Sequence, residues 1–145
     1  MEKLVMNEPN LDLVEVSPDG KWVVASVSDS QSAEHPYRTI AYPVEGGGPG
    51  VMLCLRLCDV RWDQSGADMV INLYEEKNGI VYFVPLEKGE ELPRLGAEGV
   101  GDSEELKKRV KTEAIEGFVA TAMTPEVYAF SRMRVKRNLY WVPVR

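Results

Sequence analysis

The feature of this sequence that most constrains its fold is a tight glycine turn between two apolar segments, and it occurs twice. The first copy reads VEVSPDG and continues as WVVA (residues 14–25), and the second reads VRWDQSG and continues as MVI (residues 60–71). Glycine supplies the left-handed backbone position that such a turn requires, and the chain therefore reverses at both places. We call each copy, with the strands that follow it, a unit. A proline lies in a later apolar segment of both units, in IAYPV (40–44) and YFVPL (82–86), and a similar segment, YWVPV (140–144), indicates a third unit.

The spacing of these units predicts the fold class. A period of about 40 to 50 residues, with several short strands in each unit, is typical of β-propeller blades. We therefore expect an all-β fold, a single domain over 1–145 with about three four-stranded antiparallel blades, at about 11–57, 58–96 and 115–145. A strand at residues 3–6 could complete the third blade. Because propeller rings contain about 4 to 8 blades, we expect a partial or half propeller, either a piece of a longer ring or one completed by a second copy.

Two local segments refine this expectation. Residues 90–95 occupy the place of the outer strand of the second blade, and their proline suits an edge position. Asp102 is a plausible helix N-cap with Glu105 three residues later, followed by bases, which predicts one short helix near 103–112. This helix belongs to an insertion of about 101–114 that separates the second and third blades.

The cysteines Cys54 and Cys58 lie in the segment VMLCLRLC (51–58), which has the composition of one strand. Four residues along a strand span about 13 Å, and the Cα atoms of a disulfide lie within roughly 7 Å. We therefore expect two buried structural thiols, and a direct disulfide would need a bend between them. Since the chain has one histidine, His35, we predict no metal site.

Composition excludes several classes of protein. The net charge of −6 argues against a general nucleic-acid binder, whose affinity comes from clustered Lys and Arg. The apolar runs are far shorter than the about 18 residues of a membrane span, so we expect a soluble protein with no membrane partner. The first residues lack the apolar core of a signal peptide, and both a cytoplasmic and a periplasmic location stay open.

Three segments carry a family resemblance: VSPDGK (16–21), VPLEKGE (84–90) and NLYWVPV (138–144). They resemble the repeats of TolB-type, WD40-like propellers, which also form the N-terminal domains of prolyl oligopeptidase and dipeptidyl peptidase relatives. The resemblance covers most of the chain from Leu11 onwards. It implies a propeller that binds proteins, gates a peptidase or accompanies a signalling domain, and it fixes no substrate.

No constellation in the sequence indicates catalysis or a cofactor. The glycine-rich run 45–50 is followed by a predicted strand, whereas a phosphate-binding loop is followed by a helix, so we interpret it as a turn. Ser103 lacks the G-x-S-x-G context of a hydrolase nucleophile, and the only histidine lies in a polar loop. The adjacent carboxylates Glu90 and Glu91 are interpreted as solvated surface. We therefore predict a protein that is not an enzyme, with no cofactor.

Two groups of residues are candidate binding sites. Glu15 and Arg61 hold the same place in the innermost strands of successive units, where side chains are expected to face the central channel or its rim. An opposite-charge pair lining water is the simpler interpretation of these two. A positive patch is predicted around the last hairpin, where it could contact an acidic partner or only be solvated; it consists of Arg132, Arg134, Lys136 and Arg137.

The function that follows is a non-catalytic interaction module that binds a protein or peptide. One alternative is the substrate-gating propeller of a prolyl-oligopeptidase-like serine peptidase whose catalytic domain is absent from this chain. A second alternative is a self-assembling half-propeller, in which the partner is another copy of the chain.

Overall fold

The structure is a computed structural model, and it describes residues 11–28, 36–46, 48–63, 65–74, 80–116, 118–121 and 128–131. These residues form mostly β structure with one short helix, as expected from the sequence. In chain order the elements are β1 (Leu11–Val16), β2 (Trp22–Ser28), β3 (Tyr37–Pro43), β4 (Val51–Cys54), β5 (Cys58–Trp62), β6 (Asp68–Leu73), β7 (Ile80–Pro85), α1 (Ser103–Arg109), β8 (Glu113–Glu116), β9 (Phe118–Thr121) and β10 (Tyr128–Ser131).

The strands form two four-stranded antiparallel sheets and one additional pair. The first sheet has the order β1-β2-β3-β4, the second has the order β5-β6-β7-β8, and β9 pairs with β10. Val16 pairs with Val23 across the first turn, and Trp62 pairs with Met69 across the second. Both turn glycines adopt a positive φ, 72° and 70°, so the predicted turns are confirmed. The strands therefore follow one another in the same order in both sheets. The first pair across each turn also lies at the same distance from the turn glycine.

Different residues stabilise the two turns in the same way. In the first turn the Ser17 hydroxyl accepts a hydrogen bond from the Trp22 amide at 2.9 Å. In the second turn the Asp63 carboxylate accepts one from the Asp68 amide at 3.0 Å, and Ser65 donates its hydroxyl to the same carboxylate at 2.5 Å. Serine and aspartate both place a side-chain acceptor over the turn, which is why the second turn forms without a proline.

The main hydrophobic core lies between the two sheets. Alternate residues of β5 are buried because strand side chains point to opposite faces, and Cys58, Val60 and Trp62 face the first sheet. The first sheet contributes Val24, Ala41 and Leu53 to this core, and the second adds Met69, Ile71, Leu73, Tyr82 and Val84.

The sheet faces that point away from this core are also buried at the central strands. Ala25 and Val27 of the first sheet are 0% and 2% exposed. Val70 and Val81 of the second sheet are each 1% exposed, and with Phe83 they form a second cluster. At these positions a single chain therefore covers both faces of both sheets.

The interpretation of the cysteine segment as one strand with two free thiols is wrong. β4 ends at Cys54, the chain bends over residues 55–57, and β5 begins at Cys58. The bend reduces the distance between the two Cα atoms to 6.4 Å, and the two sulfur atoms form a disulfide. The bridge joins the last strand of the first sheet to the first strand of the second.

The interpretation of residues 90–95 as the outer strand is also wrong. That position in the second sheet is taken by β8, whose Ile115 pairs with Val81 of β7. Residues 86–112 instead connect β7 to β8 and carry the helix α1. The predicted helix is confirmed, and its cap forms as expected, because the Asp102 carboxylate accepts from the Glu105 amide at 2.8 Å. The helix ends at Arg109, before the expected residue 112.

The third predicted unit is described only in part. β9 and β10 lie in it and pair antiparallel, with Ala120 opposite Ala129. The predicted strand at 3–6 and the apolar segment at 140–144 lie outside the described residues. Among the residues that the structure does describe, no helix has the length and apolar character needed to cross a membrane.

Candidate functional site

The candidate site lies at one end of the two sheets, which we call the turn end because it carries the Gly20 and Gly66 turns. Here β3 and β7 also end, at Pro43 and Pro85, opposite the first residues of β2 and β6. The long connection between β7 and β8 leaves the second sheet at this end.

Hydrogen bonds attach this connection to both sheets. The Trp62 indole donates its Nε1 hydrogen to the Glu91 carbonyl at 2.7 Å, which attaches the connection to the second sheet. The Val100 amide donates to the Leu53 carbonyl, and the Leu55 amide donates to the Val100 carbonyl, both at 2.9 Å. Residues 86–101 thus cross from the second sheet to the edge strand of the first.

The connection is also stabilised from within. Arg109 of α1 donates Nη1 hydrogens to the carbonyl of Gly99 at 2.6 Å and to the carbonyl of Leu95. Leu95 and Leu106 are buried in the main core. These contacts hold the connection in one position against the sheets, so its outer surface can form fixed walls of a site.

Two clefts lie on either side of this connection and share Glu90 and Leu92. We call the first the tryptophan cleft; its volume is about 330 Å³, and it is lined by Lys21, Trp22, Gly89, Glu90, Glu91 and Leu92. We call the second the proline cleft; its volume is about 310 Å³, and it is lined by Pro85, Glu87, Glu90, Leu92, Pro93, Arg94, Arg109, Val110 and Lys111.

An ion-pair cluster forms the wall between the two clefts. Arg94 donates two hydrogen bonds to the Glu90 carboxylate, one of them from Nε at 3.2 Å, and its Nη2 lies 3.1 Å from the Glu87 carboxylate. The hydrogen bond from Arg94 lowers the pKa of Glu90, which stays ionised near neutral pH. The wall therefore carries paired charges that are partly exposed to solvent.

A second ion pair lies at the mouth of the tryptophan cleft. Lys21 Nζ lies 2.6 Å from the Asp19 carboxylate, and this contact lowers the pKa of Asp19 to about 2. The pKa of Lys21 is raised, chiefly by its hydrogen bond to Asp19 and further by the charges of Glu91 and Glu45. The cleft mouth is thus an electronegative environment in which a cation is stabilised.

The structure separates the two inner-strand residues that the sequence singled out. Glu15 shares a face with Val24 and is directed toward the core between the sheets, where it lines a cavity of about 70 Å³ with Ser26, Thr39 and Asp59 among other residues. Arg61 shares a face with Val70, on the far side of the second sheet. The two residues hold equivalent positions in their own sheets. The second sheet nevertheless separates their side chains, because Glu15 lies on its inner side and Arg61 on its far side.

The predicted positive patch of Arg132, Arg134, Lys136 and Arg137 lies outside the described residues. Sequence analysis did not identify Trp22, Glu91 or Leu92 as site residues. The adjacent carboxylates at 90 and 91 were the available signal, but the sequence does not show that the folded chain places them next to Trp22 of the first sheet.

The comparisons with known proteins add no family assignment. Comparison with protein-family models, with curated proteins and with solved structures found no match to this chain. Within the described ranges, no group of three or more His, Cys, Asp or Glu side chains is placed to hold a metal ion.

Proposed function

We propose that this chain is a propeller-type interaction module that binds a segment of a protein or peptide at its turn end. The shared strand order and register of the two sheets support a blade-like arrangement. The first strands of the two sheets, β1 and β5, also lie beside each other, as the innermost strands of adjacent blades do. This arrangement is the one that the resemblance to TolB-type propellers implies.

The observation that carries the functional part is the pair of clefts on a fixed connection. Binding sites are usually concave, largely preformed and lined by a few apolar groups and a few oriented polar groups. The two clefts combine Trp22, Leu92 and Pro93 with the paired charges of Glu90 and Arg94. The clefts share Glu90 and Leu92, so we propose that one extended segment contacts both of them.

The charges of this surface favour binding over proton transfer. A general acid needs a pKa raised toward the working pH, whereas the pKa of Glu90 is lowered by Arg94. An ionised, paired carboxylate orients a partner and does not donate a proton. We therefore propose that the role of the turn end is recognition.

The test uses the full chain and three synthetic peptides with one scaffold that carry lysine, glutamate or glutamine at the same positions. Amide hydrogen exchange is measured with and without each peptide. We expect at least one peptide to protect residues 86–94, and we expect Trp22→Ala to remove that protection. The control variant is Tyr37→Ala, because Tyr37 is an exposed aromatic residue at the opposite end of the first sheet.

Two outcomes would contradict the proposal: no binding by any of the three peptides at millimolar concentration, or protection confined to the end that carries Tyr37. Trp22 also packs against the main core, so thermal melting must show that Trp22→Ala is folded. If it is not folded, the exchange map of the unmodified chain decides the location of the site by itself.

Solution mass separates this proposal from the half-propeller alternative. Since Ala25 and Val70 are buried within one chain, the proposed module needs no second copy at these faces. We expect light scattering to give the mass of a single chain, 16.3 kDa. A stable species of twice that mass at all concentrations would favour the self-assembled ring.

A further inference from the structure

We propose that the tryptophan cleft binds the side chain of a lysine or arginine in an extended segment of the partner. This inference rests on the proposed function, since it names the partner chemistry of one of the two clefts. Three observations support it: the apolar walls of the cleft, the negative charge of its rim, and the stabilisation of the Lys21 ammonium group at its mouth by nearby carboxylates.

The apolar walls suit the stem of a long cationic side chain. Trp22 and Leu92 are half-buried and pack against the core between the sheets, so both present fixed apolar surface. Lysine and arginine cover such surface with their methylene groups while the charged head stays near polar groups. Tryptophan is also the aromatic residue that attracts a cation most strongly.

The rim supplies the complementary charge. Two carboxylates, Glu90 and Glu91, and one cation, Lys21, line the tryptophan cleft, and Lys21 is already paired with the carboxylate of Asp19. The Glu91 main chain is held by the Trp62 indole, while its carboxylate forms no ion pair with any described residue. Asp19 and Glu45 add negative charge next to Lys21, at the mouth of the cleft.

Lys21 shows how this environment acts on a cation. Glu91 and Glu45 raise the pKa of its ammonium group in addition to the larger effect of Asp19. The same carboxylates would act on a second ammonium or guanidinium group that enters between Trp22 and Glu91. An anionic partner would instead meet repulsion, which the net charge of −6 on the whole chain increases.

The experiment measures the affinity of the full chain for the same lysine, glutamine and glutamate peptides by fluorescence anisotropy. We expect the lysine peptide to bind about ten-fold more tightly than the glutamine peptide, and the glutamate peptide to bind most weakly. Glu91→Gln should reduce the advantage of lysine about five-fold, which is the upper range for one exposed ion pair. Added salt should reduce the same advantage, because these charges are exposed to solvent.

The matched control is Glu98→Gln, which removes the same charge from the same connection at an exposed position that does not line the cleft. It should leave the preference for lysine within two-fold of the unmodified chain. Equal effects of the two substitutions would overturn the inference, because they would show a general charge effect.

The outcomes also separate this inference from the proposed function. If the lysine and glutamine peptides bind equally and both protect residues 86–94, the inference is wrong and the interaction module stands. If no peptide binds, the proposed function fails together with the inference. Glu91→Gln preserves the shape of the side chain, so a loss of folding is not expected to obscure the result.

Discussion

The attachment of the long connection to the first sheet can be tested with a pair of glycine substitutions. A Cβ atom on Gly99 would lie 2.8 Å from the Leu53 carbonyl oxygen and 2.8 Å from Met52 Cγ, and the residue has a φ of +67°. Gly89 lies in the same connection with a φ of +86°, and a Cβ atom there would meet none of the described residues within 4 Å. Gly89→Ala therefore reports backbone strain alone, and Gly99→Ala adds a clash with the main chain of β4.

The expected difference follows from what the clash displaces. Strain at positive φ costs about 1 to 2 kcal/mol for alanine at either position. Relief of the clash at Gly99 requires the main chain to move away from Leu53. That movement weakens two hydrogen bonds of Val100, worth about 0.5 to 1.5 kcal/mol each, and exposes part of its fully buried side chain. We expect Gly99→Ala to lower the free energy of unfolding by about 2 to 4 kcal/mol more than Gly89→Ala.

The assay is urea denaturation of both variants and the unmodified chain, with the slope of the transition compared to confirm the same folded state. In thermal melting the surplus should appear as an additional decrease of about 4 to 16 °C, since each kcal/mol shifts the midpoint by about 2 to 4 °C. Equal losses of stability in the two variants would refute the reasoning. They would mean that Val100 does not pair with the edge of the first sheet.

Further predictions concern the core, the disulfide and the turns. Tyr82→Phe should leave the free energy of unfolding within about 1 kcal/mol or raise it, because the buried Tyr82 hydroxyl has no hydrogen-bond partner among the described residues. A loss above about 2 kcal/mol in urea would show that the hydroxyl does have such a partner. Cys58→Ser should lower the free energy of unfolding by about 2 kcal/mol, because this is the loop-closure contribution of so short a disulfide loop. An unchanged free energy of unfolding in the absence of reductant would argue that the thiols are free. Asp63→Ala should lower the free energy of unfolding by about 1 to 3 kcal/mol, because it removes the acceptor for the Asp68 amide. Asp63→Ser should recover part of this loss, because Ser17 accepts the corresponding hydrogen bond in the first turn. Equal stability of the two variants would contradict that equivalence. The pKa of Asp19 is lowered to about 2, so its contribution to stability is present above about pH 4 and is lost as the pH falls toward 2; Asp19→Asn should flatten this part of the stability profile measured by urea denaturation, and an unchanged profile would show that Asp19 is unperturbed.

Local chemistry explains what the sequence could predict about the fold. The glycine turns, their positive φ and the register of the strands around them depend on a few consecutive residues, so Ser17–Gly20 and Asp63–Gly66 are recognisable by themselves. The same holds for the cap of α1, where Asp102 and Glu105 are three residues apart.

Predictions that required long-range information were wrong or missing. Residues 90–95 have the composition of an edge strand, but the place beside β7 is taken by residues 113–116, which follow the helix. A sequence pattern does not show which of two short segments pairs with a given strand, because register and partner are decided by the sheet as a whole. The disulfide was missed for a related reason, since the bend at residues 55–57 depends on how two sheets stack.

The candidate site shows the same division. The sequence alone determined the all-β class, the paired glycine turns and the short capped helix, because these depend on backbone preferences and side-chain acceptors within a few residues. Only the tertiary structure placed Trp22 beside Glu91, since residues far apart in the chain meet there through the hydrogen bond from Trp62 and the attachment of Val100 to the edge of the first sheet. Such contacts form only when the apolar faces of the two sheets pack together, because this packing positions the connections between the strands. A local sequence pattern therefore does not predict which connections will be in contact.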